Sequence, residues 1–209
     1  MQKSKIPNSA IVFILVLVAV LGVVLVKGFN YVKNNYSNIH LAGNKDQVTA
    51  SSTSEAMELN DKGMDYYDSR DYPNAEIFFR KAIATDPALA NPYNNLGIVL
   101  ALRGVPEEAL ANYRKAIEIA PTYANAYSNI GAYYREKNDF PNAIKNFTQA
   151  ITLDANLYIP YIQLGDIYTT QGDYVKAKSF YQKALESTQI TPQMVDEVKK
   201  QLSFIKSLK

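Results

Sequence analysis

The sequence predicts an all-α solenoid of stacked helix hairpins, preceded by a single transmembrane helix. Three observations carry this. Glycines stand at 63, 97, 131 and 165, always 34 residues apart. Alanines keep the same interval twice, at 75, 109, 143 and 177 and at 82, 116, 150 and 184. Residues 11–26, IVFILVLVAVLGVVLV, form an unbroken uncharged run. Self-similarity at a fixed period of this length is the mark of a repeat architecture.

The chain opens with a short tail, residues 1–8, holding Lys3 and Lys5. Residues 9–29 follow as a signal anchor; at ~1.5 Å per residue they reach roughly 30 Å, the depth of a hydrocarbon core. No face of the run is polar, which excludes a half-buried soluble helix. A cleaved signal peptide is the competing reading, but the run is long for one and Val26-Lys27-Gly28 is a poor cleavage site. A short positive tail favours retention in the cytoplasm, which places the rest of this single-pass chain outside it; the cytoplasmic face is the alternative. Residues 30–55 read as a juxtamembrane segment and flexible linker, since GNKDQVTASSTSE at 43–55 is small and polar. Ser52 and Ser54 read as starts for the first helix of the folded part.

Four units follow, 56–89, 90–123, 124–157 and 158–191. Large residues recur at position 4 (Leu59, Tyr93, Tyr127, Tyr161), with Leu96, Ile130 and Leu164 at 7, and Tyr66, Leu100, Tyr134 and Tyr168 at 11. Lys62 departs at position 7. Positions 4, 7, 8 and 11 share one helix face, and 20, 24 and 27 share another. Each unit is therefore an antiparallel pair. A mid-helix glycine costs ~1 kcal/mol relative to alanine, so Gly63, Gly97, Gly131 and Gly165 need a return. Close approach to Ala75, Ala109, Ala143 and Ala177 on the second helix supplies it. Gly104, Asn138 and Gly172 suit a left-handed turn at position 15, where Arg70 departs. Asp71, Asp139 and Asp173 come next as helix caps. Pro87 and Pro121 close two units; Ala155 and Gln189 stand there later. Residues 192–209 place Met194, Val198, Leu202, Ile205 and Leu208 on one stripe, as expected of a capping helix.

These positions resemble the tetratricopeptide repeat family, best in YNNLGIVLALRGVPEEALANYRKAIEIAP. The resemblance covers residues 56–191. It implies a right-handed superhelix whose concave groove holds a protein or peptide segment. The groove candidates are Asp61, Asn95, Asn129 and Gln163 at position 6, with Asn91 and Asn125 at position 2. A row of amides both donates and accepts, and so grips a backbone without reading its sequence. Only Arg135 is basic among the groove positions, which disfavours a carboxylate clamp.

Other classes find little support. Without Lys3, Lys5 and Lys27 the chain has 19 basic and 20 acidic residues, which excludes a phosphate-neutralising surface and argues against nucleic acid. There is no cysteine and one histidine, His40, so neither thiolate chemistry nor a multi-histidine metal site exists. No phosphate loop, nucleophile elbow or calcium loop occurs. Glu107 and Glu108 open a helix, where they complement its dipole. Asn35 and Asn146 begin glycosylation tripeptides, a frequent accident in an asparagine-rich chain. The expectation is a membrane-anchored interaction module that binds protein or peptide, with a bilayer contact at residues 9–29. It has no enzymatic role, no small-molecule substrate, and no cofactor or metal. A structural subunit docking through its outer surface, or a secreted protein after cleavage, are the alternatives.

Overall fold

The computed structural model describes residues 45–208, with side chains from residue 51. From Ser52 onward the chain forms one compact body. The predicted transmembrane segment lies outside the described residues, and none of the described helices is long and apolar enough to cross a membrane.

The described residues form nine helices and no strand: α1 (Lys45–Asp68), α2 (Tyr72–Thr85), α3 (Ala90–Leu102), α4 (Pro106–Ile119), α5 (Ala124–Glu136), α6 (Phe140–Leu153), α7 (Tyr158–Thr170), α8 (Tyr174–Glu186) and α9 (Pro192–Ser207). The linker expected up to residue 55 is corrected here, because α1 already begins at Lys45. Ser52 and Ser54 are interior to it. No glycine or proline separates Gly43 from Gly63, so nothing stops the helix from propagating upstream once it has nucleated. Two contacts hold that extension: Ala56 is fully buried, and Thr53 Oγ1 donates to Asp86 Oδ2 at 2.6 Å.

Helices pair as antiparallel hairpins, α3 with α4, α5 with α6 and α7 with α8, and each hairpin leans on the next through α2–α3, α4–α5 and α6–α7. The turn geometry is the same in all four hairpins. Arg70, Gly104, Asn138 and Gly172 have φ of 62°, 79°, 59° and 77°. The following N–H closes onto the position-11 carbonyl: Asp71 to Tyr66 at 2.8 Å, and Val105 to Leu100, Asp139 to Tyr134 and Asp173 to Tyr168 at 2.9 Å. That pairing satisfies carbonyls left open at a helix end. Arg70 thus adopts the left-handed backbone without a glycine's ease. Asp71, Asp139 and Asp173 then cap the second helices, accepting from the N–H groups of Asn74 (3.3 Å), Asn142 (3.2 Å) and Lys176 (3.1 Å). Val105 offers no such cap; there α4 starts on Pro106 with Glu107 and Glu108 in its first turn.

The interior of each hairpin departs from expectation in one respect. The space at each glycine is filled mainly by the position-24 ring, not by the backbone opposite. A Cβ added at Gly63 would lie 2.5 Å from Phe79, at Gly97 2.5 Å from Tyr113, at Gly131 2.6 Å from Phe147 and at Gly165 2.6 Å from Tyr181. Only at Gly97 is a backbone atom also among the nearest, Ala109 O at 3.1 Å. The alanines at positions 20 and 27 are buried, as are the rings they flank. Helix α9 packs on α8, burying Val198 and Ile205, while Leu208 stays 47% exposed.

Candidate binding groove

The first helices of neighbouring units touch one another, α3 with α5 and α5 with α7, and no pair of second helices comes comparably close. The first helices therefore line the inner surface of the array. Positions 5 and 6 lie on it, and there the structure builds a polar row that the sequence pattern only half revealed.

Asn95 Nδ2 donates to Asn60 Oδ1 at 2.9 Å, and Asn129 Nδ2 donates to Asn94 Oδ1 at 2.8 Å. Each bond joins position 6 of one unit to position 5 of the unit before. Two longer contacts link them within units, Asn94 Nδ2 to Asn95 Oδ1 at 3.4 Å and Asn60 Nδ2 to Asp61 Oδ1 at 3.5 Å. The row runs from Asn129 through Asn94, Asn95 and Asn60 to the Asp61 carboxylate. Asn94 is buried, at 3% exposure. Asn95 and Asn129, expected to face a ligand, are half-buried and each gives one N–H to the unit before. Asp61, Asn91 and Asn125 stay exposed.

The row stops at the fourth unit. Ser128 occupies position 5 where Asn60 and Asn94 stand earlier, and no bond joins it to Gln163 among the described residues. Gln163 Oε1 is buried there without a partner. It lines a cavity of about 250 Å³ between α7 and α9, with Ile159, Ile162 and Met194 as apolar walls and Asp166 and Glu197 as acids. An unpaired buried carbonyl costs ~1–3 kcal/mol, so the row ends on an unmet acceptor beside this cavity.

Asp166 links this cavity to the hairpin core. Tyr181 Oη donates to Asp166 Oδ1 at 2.7 Å, and Arg135 Nη1 lies 3.7 Å from Oδ2. Burial raises the Asp166 carboxyl above its ordinary range, against the lowering pull of the Tyr181 hydroxyl and Arg135. Burial also pushes the Tyr181 phenol far up, and the Asp166 carboxylate adds to the rise. Arg135, the lone basic groove residue, is therefore engaged by this chain's own acid. No cluster among the described residues could hold a metal ion.

Sequence reasoning missed Asn60, Asn94 and Asp166. The signal for the first two was present, an asparagine one residue before position 6 in two units. For Asp166 there was none, because position 9 carries no acid in the other units.

Two stretches match the tetratricopeptide repeat family, residues 88–156 and residues 160–190. No curated protein matches the chain. Among solved structures, PilF of Pseudomonas aeruginosa aligns with a TM-score of 0.63 at 22% identity, over 76% of this chain and 71% of that one. TTC0263, a thermophilic TPR protein of Thermus thermophilus, aligns at 0.60 and 20%, over 72% and 80%. The first TPR of Spaghetti (RPAP3), bound to the HSP90 peptide SRMEEVD, aligns at 0.54 and 21%, over 57% and 95%. These likenesses concern the fold. The repeated hairpins and the two matched stretches agree: residues 88–156 and 160–190 are tetratricopeptide repeats.

Proposed function

We propose that this chain is a non-enzymatic protein-interaction module, tethered to a membrane by residues 9–29 with the repeats on the extracytoplasmic side, and that it takes an extended protein segment along the surface of its first helices. The observation that carries the reading is the apolar, acid-edged cavity at the end of that surface, beside the orphaned Gln163 carbonyl. A side chain with an apolar stem and a basic head fits it, while Asn91 and Asn125 remain exposed along the approach. Asn95 and Asn129 shape the groove through one N–H each, which leaves their second amide N–H for a ligand. The repeats of RPAP3 hold a peptide in the related structure, which supports a segment as the kind of ligand.

The test is a photo-crosslinking residue placed at Asn125 on the inner surface and, separately, at Lys145 on α6, in intact membranes. The reading expects a protein adduct from position 125 and none from 145. Adducts from 145 alone would replace it with the rival, an assembly subunit docking through its outer face. The chain lacks cysteine, so Thr170→Cys creates a single thiol whose reaction with an impermeant maleimide on whole cells reports the side of the membrane. The mass of the mature chain reports cleavage.

A further inference from the structure

The two ends of the array carry opposite charge on the faces that inner units bury. Positions 3 and 10 of the first helix are where a unit meets its predecessor. In units two and four these are Pro92 and Val99, and Pro160 and Ile167, all buried; in unit three they are the buried Ala126 and the half-buried Tyr133. Among the described residues no hairpin precedes unit one, and there the same positions are Glu58 and Asp65, both exposed. Glu55 and Asp68 extend the acidic face, Met57 stands 53% exposed within it, and Lys62 is the one base between residues 55 and 68. Among the described residues neither Glu55, Glu58, Asp65 nor Asp68 forms an ion pair.

At the other end, one further step of 34 residues from Gly165 reaches Lys199. A lysine there leaves no seat for the aromatic ring that every earlier hairpin lays on its glycine, so the array cannot continue with a fifth hairpin of the same kind. Instead Lys178, Lys199 and Lys206 ring a cavity of about 440 Å³ between α8 and α9, floored by Leu202 and Ile205. All three lysines are exposed, and none forms an ion pair among the described residues.

We infer that the acidic face of α1 from a second copy of this chain docks on the lysine-ringed notch between α8 and α9, so that copies associate head to tail. Carboxylates meet ammonium groups, and Met57 supplies the apolar contact for the floor. Such a contact is heterologous: it leaves a free head and a free tail, and grows into open chains unless its rotation closes a ring. Its charges are exposed, so added salt weakens it. The charged contacts of the inference stand apart from the groove reading, since Glu58 and Asp65 hold positions 3 and 10; Met57, at position 2, shares a row with Asn91 and Asn125.

The test is sedimentation velocity of the full chain, in detergent, over a concentration series. Two triple variants are compared, Lys178→Glu with Lys199→Glu and Lys206→Glu, and Glu55→Lys with Glu58→Lys and Asp65→Lys. The wild type is expected to gain mass with concentration and to lose it in 0.5 M salt. Each variant alone carries like charges on both ends and should bind itself at least tenfold more weakly. A 1:1 mixture restores complementary ends and should recover association, which also shows that both variants are folded. A wild type that stays monomeric overturns the inference, whether the acidic face is covered by the chain's own N-terminal residues or the lysines take anionic vesicles. So does a variant that still associates alone, or a mixture that stays apart.

Discussion

The inside of a hairpin and the joint between hairpins follow different rules. Inside, four units repeat one solution: a glycine covered by a buried ring, flanked by two buried alanines. At the joints the solution changes from unit to unit. Asn60 meets Asn95, Asn94 meets Asn129, and then Ser128 stands where a partner for Gln163 would be. The difference teaches where a repeat is constrained. A ring seated within van der Waals reach of a backbone tolerates no added atom, whereas a polar joint can lose a rung and keep its packing.

The largest expected break of this contrast is Phe147→Ala. It empties a fully buried position and should cost about 3–5 kcal/mol in thermal or urea unfolding. Gly131→Ala attacks the same contact from the other side. Its helix-propensity gain of ~1 kcal/mol is outweighed by a Cβ 2.6 Å from the Phe147 ring, for a net loss of about 1–2 kcal/mol; a raised melting temperature would mean that the ring moves freely.

At the joints the effects are smaller. Asn129→Ala leaves the buried Asn94 Oδ1 without its donor and should cost about 1–2 kcal/mol, measured by urea unfolding. Ser128→Asn brings a longer carboxamide whose N–H can donate to the orphaned Gln163 Oε1 and should gain about 0.5–1.5 kcal/mol; no gain would show that the gap is not the missing rung. Asp166→Asn gives the smallest effect and a sign that depends on pH. The folded Asp166 holds its proton above the ordinary value of 3.8, so the unfolded chain releases it first and rising pH favours unfolding across that window. Asparagine does not titrate. The melting temperature of the variant relative to wild type should therefore climb between acid and neutral pH.

What could be read from the sequence followed the same division. The glycine, alanine and aromatic series stood out because each is one residue type at one period, and the caps at Asp71, Asp139 and Asp173 because capping is local. The left-handed turn at Arg70 was hidden by a residue that rarely adopts it, though its neighbours in phase marked the place. The start of α1 was hidden too, since small polar residues in 45–55 look like coil until Ala56 is buried and Thr53 finds Asp86 far along the chain. The position-6 amides could be read from the sequence, but their bonding partners could not: a bond between units depends on superhelical register, which no single unit encodes.

The polar row has a sense of direction. Along the row every carboxamide offers its nitrogen toward Asp61, and Asp61 stands last as an acceptor. A single turned-over amide would set two nitrogens, or two oxygens, face to face. The string therefore shares one orientation across three consecutive hairpins, so turning any one amide over disturbs its neighbours as well.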